Sequence, residues 1–174
     1  MSTETSRVGL RAFSPDDLLA IIEGGPQSEA RLGLRVAEGL RDFFVSGEVS
    51  TAWLDRLRSA RAADPWTHGF AVVEKVSGTV IGTASFKGPP DDEGVVEIAY
   101  GIVPAMEGRG YATEAASALV DFAFSDPRVR VVRAHTLPAL NASTRVLTKS
   151  LFERVGELLD SEDGLVWRWE RARR

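Results

Sequence analysis

Apolar and polar positions alternate along this chain with two different periods, and the change between them is clearest from residue 95 to residue 124. The run VVEIAYGIV (95–103) is apolar except at Glu97, the pattern of a strand buried on both faces in the middle of a sheet. Pro104 ends it, because proline has no amide to donate to a ladder. After the loop PAMEGRG, the stretch YATEAASALVDFAF reads as a helix. Gly108 and Gly110 let the backbone turn sharply into that helix, whose first amides have no partner within it. Those N–H groups, with the positive end of the helix dipole, form an anion site. A phosphate cradle is the expectation; the bland alternative is an ordinary strand–turn–helix connection.

The rest of the chain divides in the same way. Residues 8–13 read as a first strand. Ser14-Pro15-Asp16-Asp17 is a helix start, with a serine cap, proline at the first helical position and an acid at the third. Gly24-Gly25-Pro26 closes that helix. From 28 to 63 the pattern is helical but broken by Gly33, Gly39 and Gly47, which predicts two or three short helices. The last opens at Ser50-Thr51, sets Trp53, Leu54 and Leu57 on neighbouring turns and stops at Asp64-Pro65. Residues 70–76 and 79–86 form a hairpin about Ser77-Gly78. After Asp126-Pro127, residues 129–136 read as a strand and 141–151 as a helix. Residues 154–159 and 165–171 then make a terminal hairpin about Ser161-Glu162-Asp163-Gly164. No repeat, linker or low-complexity stretch interrupts the order β-α-α-β-β-β-α-β-α-β-β, so 1–174 reads as one α/β (α+β) domain.

Composition narrows the field modestly. A length of 174 residues suffices for one self-sufficient core, and 44% hydrophobic with 26% charged content is ordinary for a globular protein. A net charge of −4 argues against a direct nucleic-acid binder. Zero cysteines exclude disulfides, zinc–thiolate sites and a cysteine nucleophile, and fit a reducing, cytoplasmic setting. The start MSTETSRVGLRAF lacks a signal-peptide profile, and no apolar run reaches membrane-spanning length.

The cradle is not a common nucleotide motif. Thr113 stands where a dinucleotide fingerprint needs its third small residue, and there is no Gly-Lys-Ser/Thr of a P-loop. The segment resembles instead the acyl-CoA loop of the GNAT N-acetyltransferases, Q/R-x-x-G-x-G/A. Here that reads Glu107-Gly108-Arg109-Gly110-Tyr111-Ala112, followed by Thr113-Glu114-Ala115. It is most similar to the RimJ/RimL-type branch of ribosomal-protein acetyltransferases and relatives, where G-x-G-Y-A-T-E-A is habitual. Glu107 falls within the opening positions without being the Gln or Arg that the family favours. The resemblance covers nearly the whole chain. It implies a mixed, mostly antiparallel central sheet flanked by helices, with residues 28–65 as a variable acceptor-side insertion.

The resemblance also implies a site. A strand beside the central one should splay away. The pantetheine arm of acetyl-CoA, here a donor substrate needing no metal, would then pair with backbone near Ile102 and Val103, where an N–H polarises the acetyl carbonyl. Pyrophosphate would lie on the amides of Gly108, Arg109, Gly110, Tyr111, Ala112 and Thr113, with the Arg109 side chain either contacting phosphate or simply solvated. An amine acceptor must lose a proton, and Glu97 is the candidate base. It shares a strand face with Val95, Ala99 and Gly101, and apolar neighbours would raise its pKa; the alternative is a structural pairing with an arginine such as Arg133. No tyrosine follows Tyr111 to serve as the acid. In the branch a serine serves, in N-x-x-S-x-x-V-L-x-K-x-G-F, matched here by residues 141–152. Ser143 is that candidate acid, and Asn141 caps the helix and could touch the cofactor arm. The Asn–Ser spacing is one shorter, and Leu151 replaces the usual glycine.

Other residues carry weaker signals. His68 and His135 are far apart in sequence and have no evident triad partners. Trp167 and Trp169 share one strand face, as core or as the surface of a homodimer. Arg128, Arg130 and Arg133 could meet the ribose phosphate of CoA or form a solvated patch. Acids at 160–163 and 91–93 would rim the acceptor groove and favour a cationic amine; acids also simply favour turns. The reading that follows is an acetyl-CoA-dependent N-acetyltransferase acting in a ternary complex. A non-catalytic acyl-CoA-binding module on the same fold is the alternative.

Overall fold

The computed structural model describes residues 3–47 and 49–174. The first strand, β1 (Val8–Ala12), is followed by α1 (Pro15–Glu23), α2 (Ser28–Leu32), a two-residue β2 (Arg35–Val36), α3 (Asp42–Val45), α4 (Thr51–Ser59) and α5 (Pro65–His68). Then come β3 (Phe70–Glu74), β4 (Thr79–Phe86), β5 (Val95–Ile102), a 3₁₀ turn (Pro104–Met106), α6 (Tyr111–Ser125), β6 (Val131–Thr136), α7 (Ala142–Lys149), β7 (Glu153–Asp160) and β8 (Gly164–Ala172). The strands form one sheet in the order β1-β3-β4-β5-β6-β8-β7, with β2 adding to β4. All neighbours are antiparallel except β5–β6 and β2–β4.

The predicted helix start at Ser14 is a full capping box: Ser14 Oγ accepts from Asp17 N, and the Asp17 carboxylate accepts from Ser14 N. The stretch from 28 to 63 holds more pieces than its glycines suggested, because Arg35 and Val36 pair with Thr79 and Val80 rather than continuing a helix.

Alternation along β5 decides which side of the sheet does what. Val96, Ile98 and Ile102 are buried. Ile98 pairs with Phe86, whose ring lies 5.7 Å from that of Phe122 on α6, so this face carries α6. Glu97, Ala99 and Gly101 occupy the opposite face. α6 fills the core with Ala115, Ala118, Leu119, Val120 and Ala123, all essentially inaccessible. Its small residues let the helix lie close to the sheet and hold its N-terminus beside the end of β5.

Candidate active site

The central feature is a parting of two strands. β6 pairs with β5 only at Val95, Val96 and Glu97, whereas β4 follows β5 from Ile98 to Ile102. Past Glu97, β5 therefore has one bonded edge and one open edge. Lys87 N donates to Glu97 O at 2.9 Å, and Val103 N donates to Ile81 O at 2.9 Å. Odd-numbered residues thus face β4, and strand alternation turns the N–H and C=O groups of Tyr100 and Ile102 toward the gap. This corrects one expectation. Val103 is fully buried, its N–H is held by Ile81 and its C=O accepts from Met106 N. The residues offering free backbone are Ile102, as expected, and Tyr100, which the sequence reading missed.

The glycine loop closes the other side of the gap. Gly108 (φ 73°) and Gly110 (φ 85°) both adopt left-handed conformations, which a glycine enters without a Cβ clash. Gly110 caps α6 without any side-chain hydrogen bond. The first intrahelical bond runs from Glu114 N to Gly110 O at 3.2 Å, so the amides of Tyr111, Ala112 and Thr113 have no turn behind them. Arg7 braces the loop: it is ion-paired with Glu114, its guanidinium lies 4.8 Å from the Tyr111 ring, and it donates to Arg109 O at 2.8 Å.

Between the open edge, the loop and α7 lies a cleft of about 730 Å³. Gly108, Gly110, Tyr111, Ala112, Thr113 and Ile102 line it, and so does Ser143 from the first turn of α7. Arg145 and Lys149 line it too. They stand four apart on one helix face, a spacing visible in the sequence but passed over there. Asn141 is the N-cap of α7, its Oδ1 accepting from Thr144 N at 3.1 Å. Arg109 is exposed and turns back to Ala105 O at 3.4 Å. Arg128, Arg130 and Arg133 stand elsewhere. Arg128 pairs with Asp126, Arg130 lies beside the Asp91–Asp92 loop, and Arg133 pairs with Glu170 at 2.7 Å.

A second, smaller cavity of about 290 Å³ adjoins the first, and the two share Phe43, Tyr100 and Gly101. A Cβ added at Gly101 would meet the Phe43 ring at 2.7 Å, so only glycine lets that ring lie against β5.

Glu97 lines neither cavity; it sits beyond Ala99 on the same face of β5. Its Oε1 is 2.6 Å from Lys87 Nζ and 2.8 Å from His135 Nδ1. Its pKa is therefore not raised. Burial pushes it up, but hydrogen bonds and charge from Lys87 and His135 outweigh that and hold it below the ordinary carboxylate value. The sequence expected apolar neighbours, whereas Lys87 comes from the β4–β5 connection and His135 from the next strand. The ion pair considered for Glu97 is thus formed by Lys87 and not by Arg133. Trp169 is buried, donating to Thr136 Oγ1 at 3.0 Å, which makes it core. The 91–93 acids lie at the Val95 end of β5, away from Gly101, and Asp91 and Asp160 both accept hydrogen bonds within their own turns. The acidic rim is reduced to the 160–163 turn, and Lys87 is already in its field.

A mostly antiparallel sheet in which β5 is antiparallel to β4 but parallel to β6, with the two strands parting at a glycine-rich helix N-terminus, is the architecture that the sequence resemblance implied. Comparison with known proteins agrees. Residues 7–153 match the family model described as Acetyltransferase (GNAT) domain. The chain belongs to the GNAT acetyltransferase family. It is 30% identical over 93 residues to the uncharacterized N-acetyltransferase p20 of Bacillus licheniformis, a match covering 53% of this chain and 52% of that protein. The chain thus spans about half the length of the curated relatives it matches. In fold it is similar to the ribosomal-protein-S5-alanine acetyltransferase of Vibrio fischeri, with a TM-score of 0.68 and 19% identity over 99% of this chain and 96% of that one. It is also similar to the aminoglycoside acetyltransferase AAC(6')-Ib in complex with ribostamycin and coenzyme A, with a TM-score of 0.63 and 20% identity over 97% and 94%. Among the described residues, no cluster of three or more His, Asp or Glu is placed to hold a metal, and no helix is long and apolar enough to cross a membrane.

Proposed function

We propose that this chain transfers the acetyl group of acetyl-CoA to a primary amine by direct attack, with both substrates bound and no covalent enzyme intermediate. The observation that carries this reading is the meeting of two cavities at Tyr100 and Gly101, on the open edge of β5. Acetyl-CoA fits the larger one. Amides 108–113 and the α6 dipole suit its pyrophosphate, Arg145 and Lys149 supply cations for its phosphates, and the Tyr100 and Ile102 backbone suits an amide-rich arm. A backbone N–H on that edge would polarise the acetyl carbonyl. Ser143 is the acid that would protonate the leaving thiolate from the α7 side. The acceptor enters from the smaller cavity.

Glu97 is the proposed final proton acceptor, reached through water because it borders neither cavity. Held ionised by Lys87 and His135, its carboxylate carries no proton at neutral pH and can take one in passing on its way to solvent, though the same contacts make it a weaker base. A second reading is favoured by the same contacts: Glu97 ties the β4–β5 connection to β6 and so keeps the split open. The absence of cysteine fits a cytoplasmic setting for either. In an assay for CoA release, Glu97→Gln should lower turnover by roughly a hundredfold with acetyl-CoA affinity unchanged. Near-normal turnover with a lowered melting temperature would establish the anchoring role instead. Acetyl-CoA binding without turnover of any amine would favour a non-catalytic acyl-CoA-binding module.

A further inference from the structure

The smaller cavity has a chemistry of its own. Three phenylalanines of the α1–α3 side line it, Phe13, Phe43 and Phe44, and its polar side chains are His68, Thr83 and Ser85; Phe70 lines it too, but its ring packs 5.1 Å from Phe122 on the α6 face. Among the described residues, no carboxylate, lysine or arginine lines it. Phe13 and Phe44 pack edge to face at 6.0 Å, which stiffens the wall on the α1–α3 side. Phe43 is 43% exposed although it lies against Gly101. An apolar ring left uncovered at the junction of two cavities gains by being covered when they fill.

His68 adds direction. Its Nδ1 accepts the Asp64 N–H at 3.1 Å within the short α5 turn. A nitrogen that accepts from a backbone amide carries no proton, so the neutral ring bears its hydrogen on Nε2. Among the described residues, Nε2 has no protein acceptor, and the ring lines both this cavity and a neighbouring one bordered by Trp53 and Asp64, so it is open to a ligand oxygen. The same tautomer leaves His68 without a lone pair for the amine proton, so its part is in binding.

Resting on the acetyltransferase reading, we infer that the acceptor is a single primary amine borne on an aromatic or bulky apolar group, with a neutral oxygen that accepts from His68 Nε2. Polycations are disfavoured. A second ammonium in this cavity would lose its hydration with no carboxylate among the described lining residues to replace it. The reacting amine escapes that cost, because it is neutral when it attacks. A phenyl-sized group fits about 290 Å³ and is rewarded by ring contacts.

The test compares phenylalaninamide, 2-phenylethylamine, spermidine and ribostamycin as acceptors for CoA release, with acetyl-CoA binding measured separately. The expected result is a kcat/KM for phenylalaninamide at least about tenfold above spermidine and ribostamycin. His68→Phe, which keeps a flat ring and removes the donor, should raise KM for phenylalaninamide about tenfold with kcat held and leave 2-phenylethylamine unchanged. His68→Gln, which can still donate, should recover part of the loss. Preference for either polycation overturns the inference, as does an equal effect of His68→Phe on both aromatic amines. Failure of all four amines while acetyl-CoA still binds overturns it too. Loss of acetyl-CoA binding in the intact wild-type protein would instead overturn the acetyltransferase reading beneath it.

Discussion

Glu97 shows how a single residue's chemistry depends on neighbours distant in sequence. In an apolar strand its carboxyl would hold its proton to higher pH, but Lys87 and His135 reverse that. The consequence can be measured through stability. An unfolded glutamate titrates near 4.3, about the value of a free side chain. A folded value below that stabilises the protein above the unfolded pKa, and the contribution is lost as pH falls through the folded pKa. Glu97→Gln should therefore be less stable than wild type to denaturant at pH 7, with the gap closing as pH falls from the unfolded value through the lowered folded one. A gap that stays constant as the carboxyl titrates would mean that packing, and not charge, makes the difference. His68 and His135 make the same point. Both lacked visible partners in the sequence, yet one is fixed by its own helical turn and the other by Glu97.

At the scale of the element, α7 has the most informative ending. Ser150 is its C-cap, and Leu151 follows in the left-handed region at φ 65°. Phe152 N donates to Leu147 O at 2.9 Å and Leu151 N to Thr148 O at 3.1 Å, the two bonds of a Schellman ending. Phe152 and Leu147 are both buried, supplying its apolar contact. The family pattern that the segment resembles has glycine at 151, and the backbone here keeps the glycine conformation. A leucine there costs about 1–2 kcal/mol in steric strain, partly offset by the greater unfolded freedom of glycine. Leu151→Gly should raise stability by about 0.5–1 kcal/mol, or roughly 2–3 °C in melting temperature. No gain would show that the exposed Leu151 side chain makes compensating contacts. Because Ser143, Arg145 and Lys149 all ride on α7, the strain sits at the far end of a helix that forms one wall of the cleft.

At the scale of the whole molecule, the cleft exists because α6, α7 and the β5–β6 split converge, with the N-terminal segment pinning the loop through Arg7. Acetyl-CoA held there should stabilise the folded state by mass action. At a hundred times its dissociation constant the gain is about 2.7 kcal/mol, which corresponds to a rise of roughly 5–10 °C in melting temperature. Gly110→Val should shrink that rise sharply. Valine is strongly disfavoured at φ 85°, and its Cβ would come within 2.9 Å of the Arg7 guanidinium. An undiminished shift in a folded variant would remove the loop from the binding site.

What the amino-acid order determined alone was local. The central strand, the Ser14 cap, the glycine turn into α6 and the Asn141 cap on α7 all depend on period, cap chemistry and backbone freedom within a few residues. These were enough to outline the fold and the proposed phosphate cradle. The pairing of strands across the chain was decided only in three dimensions. The short parallel contact of β5 with β6 freed Tyr100 and Ile102 but left Val103 bonded to Ile81. The same contact carried His135 to Glu97, while folding took Arg128 and Arg130 to the opposite end of the strand. Hydrogen-bond direction and the field at a carboxylate depend on atoms brought together from remote positions, and no local pattern records them.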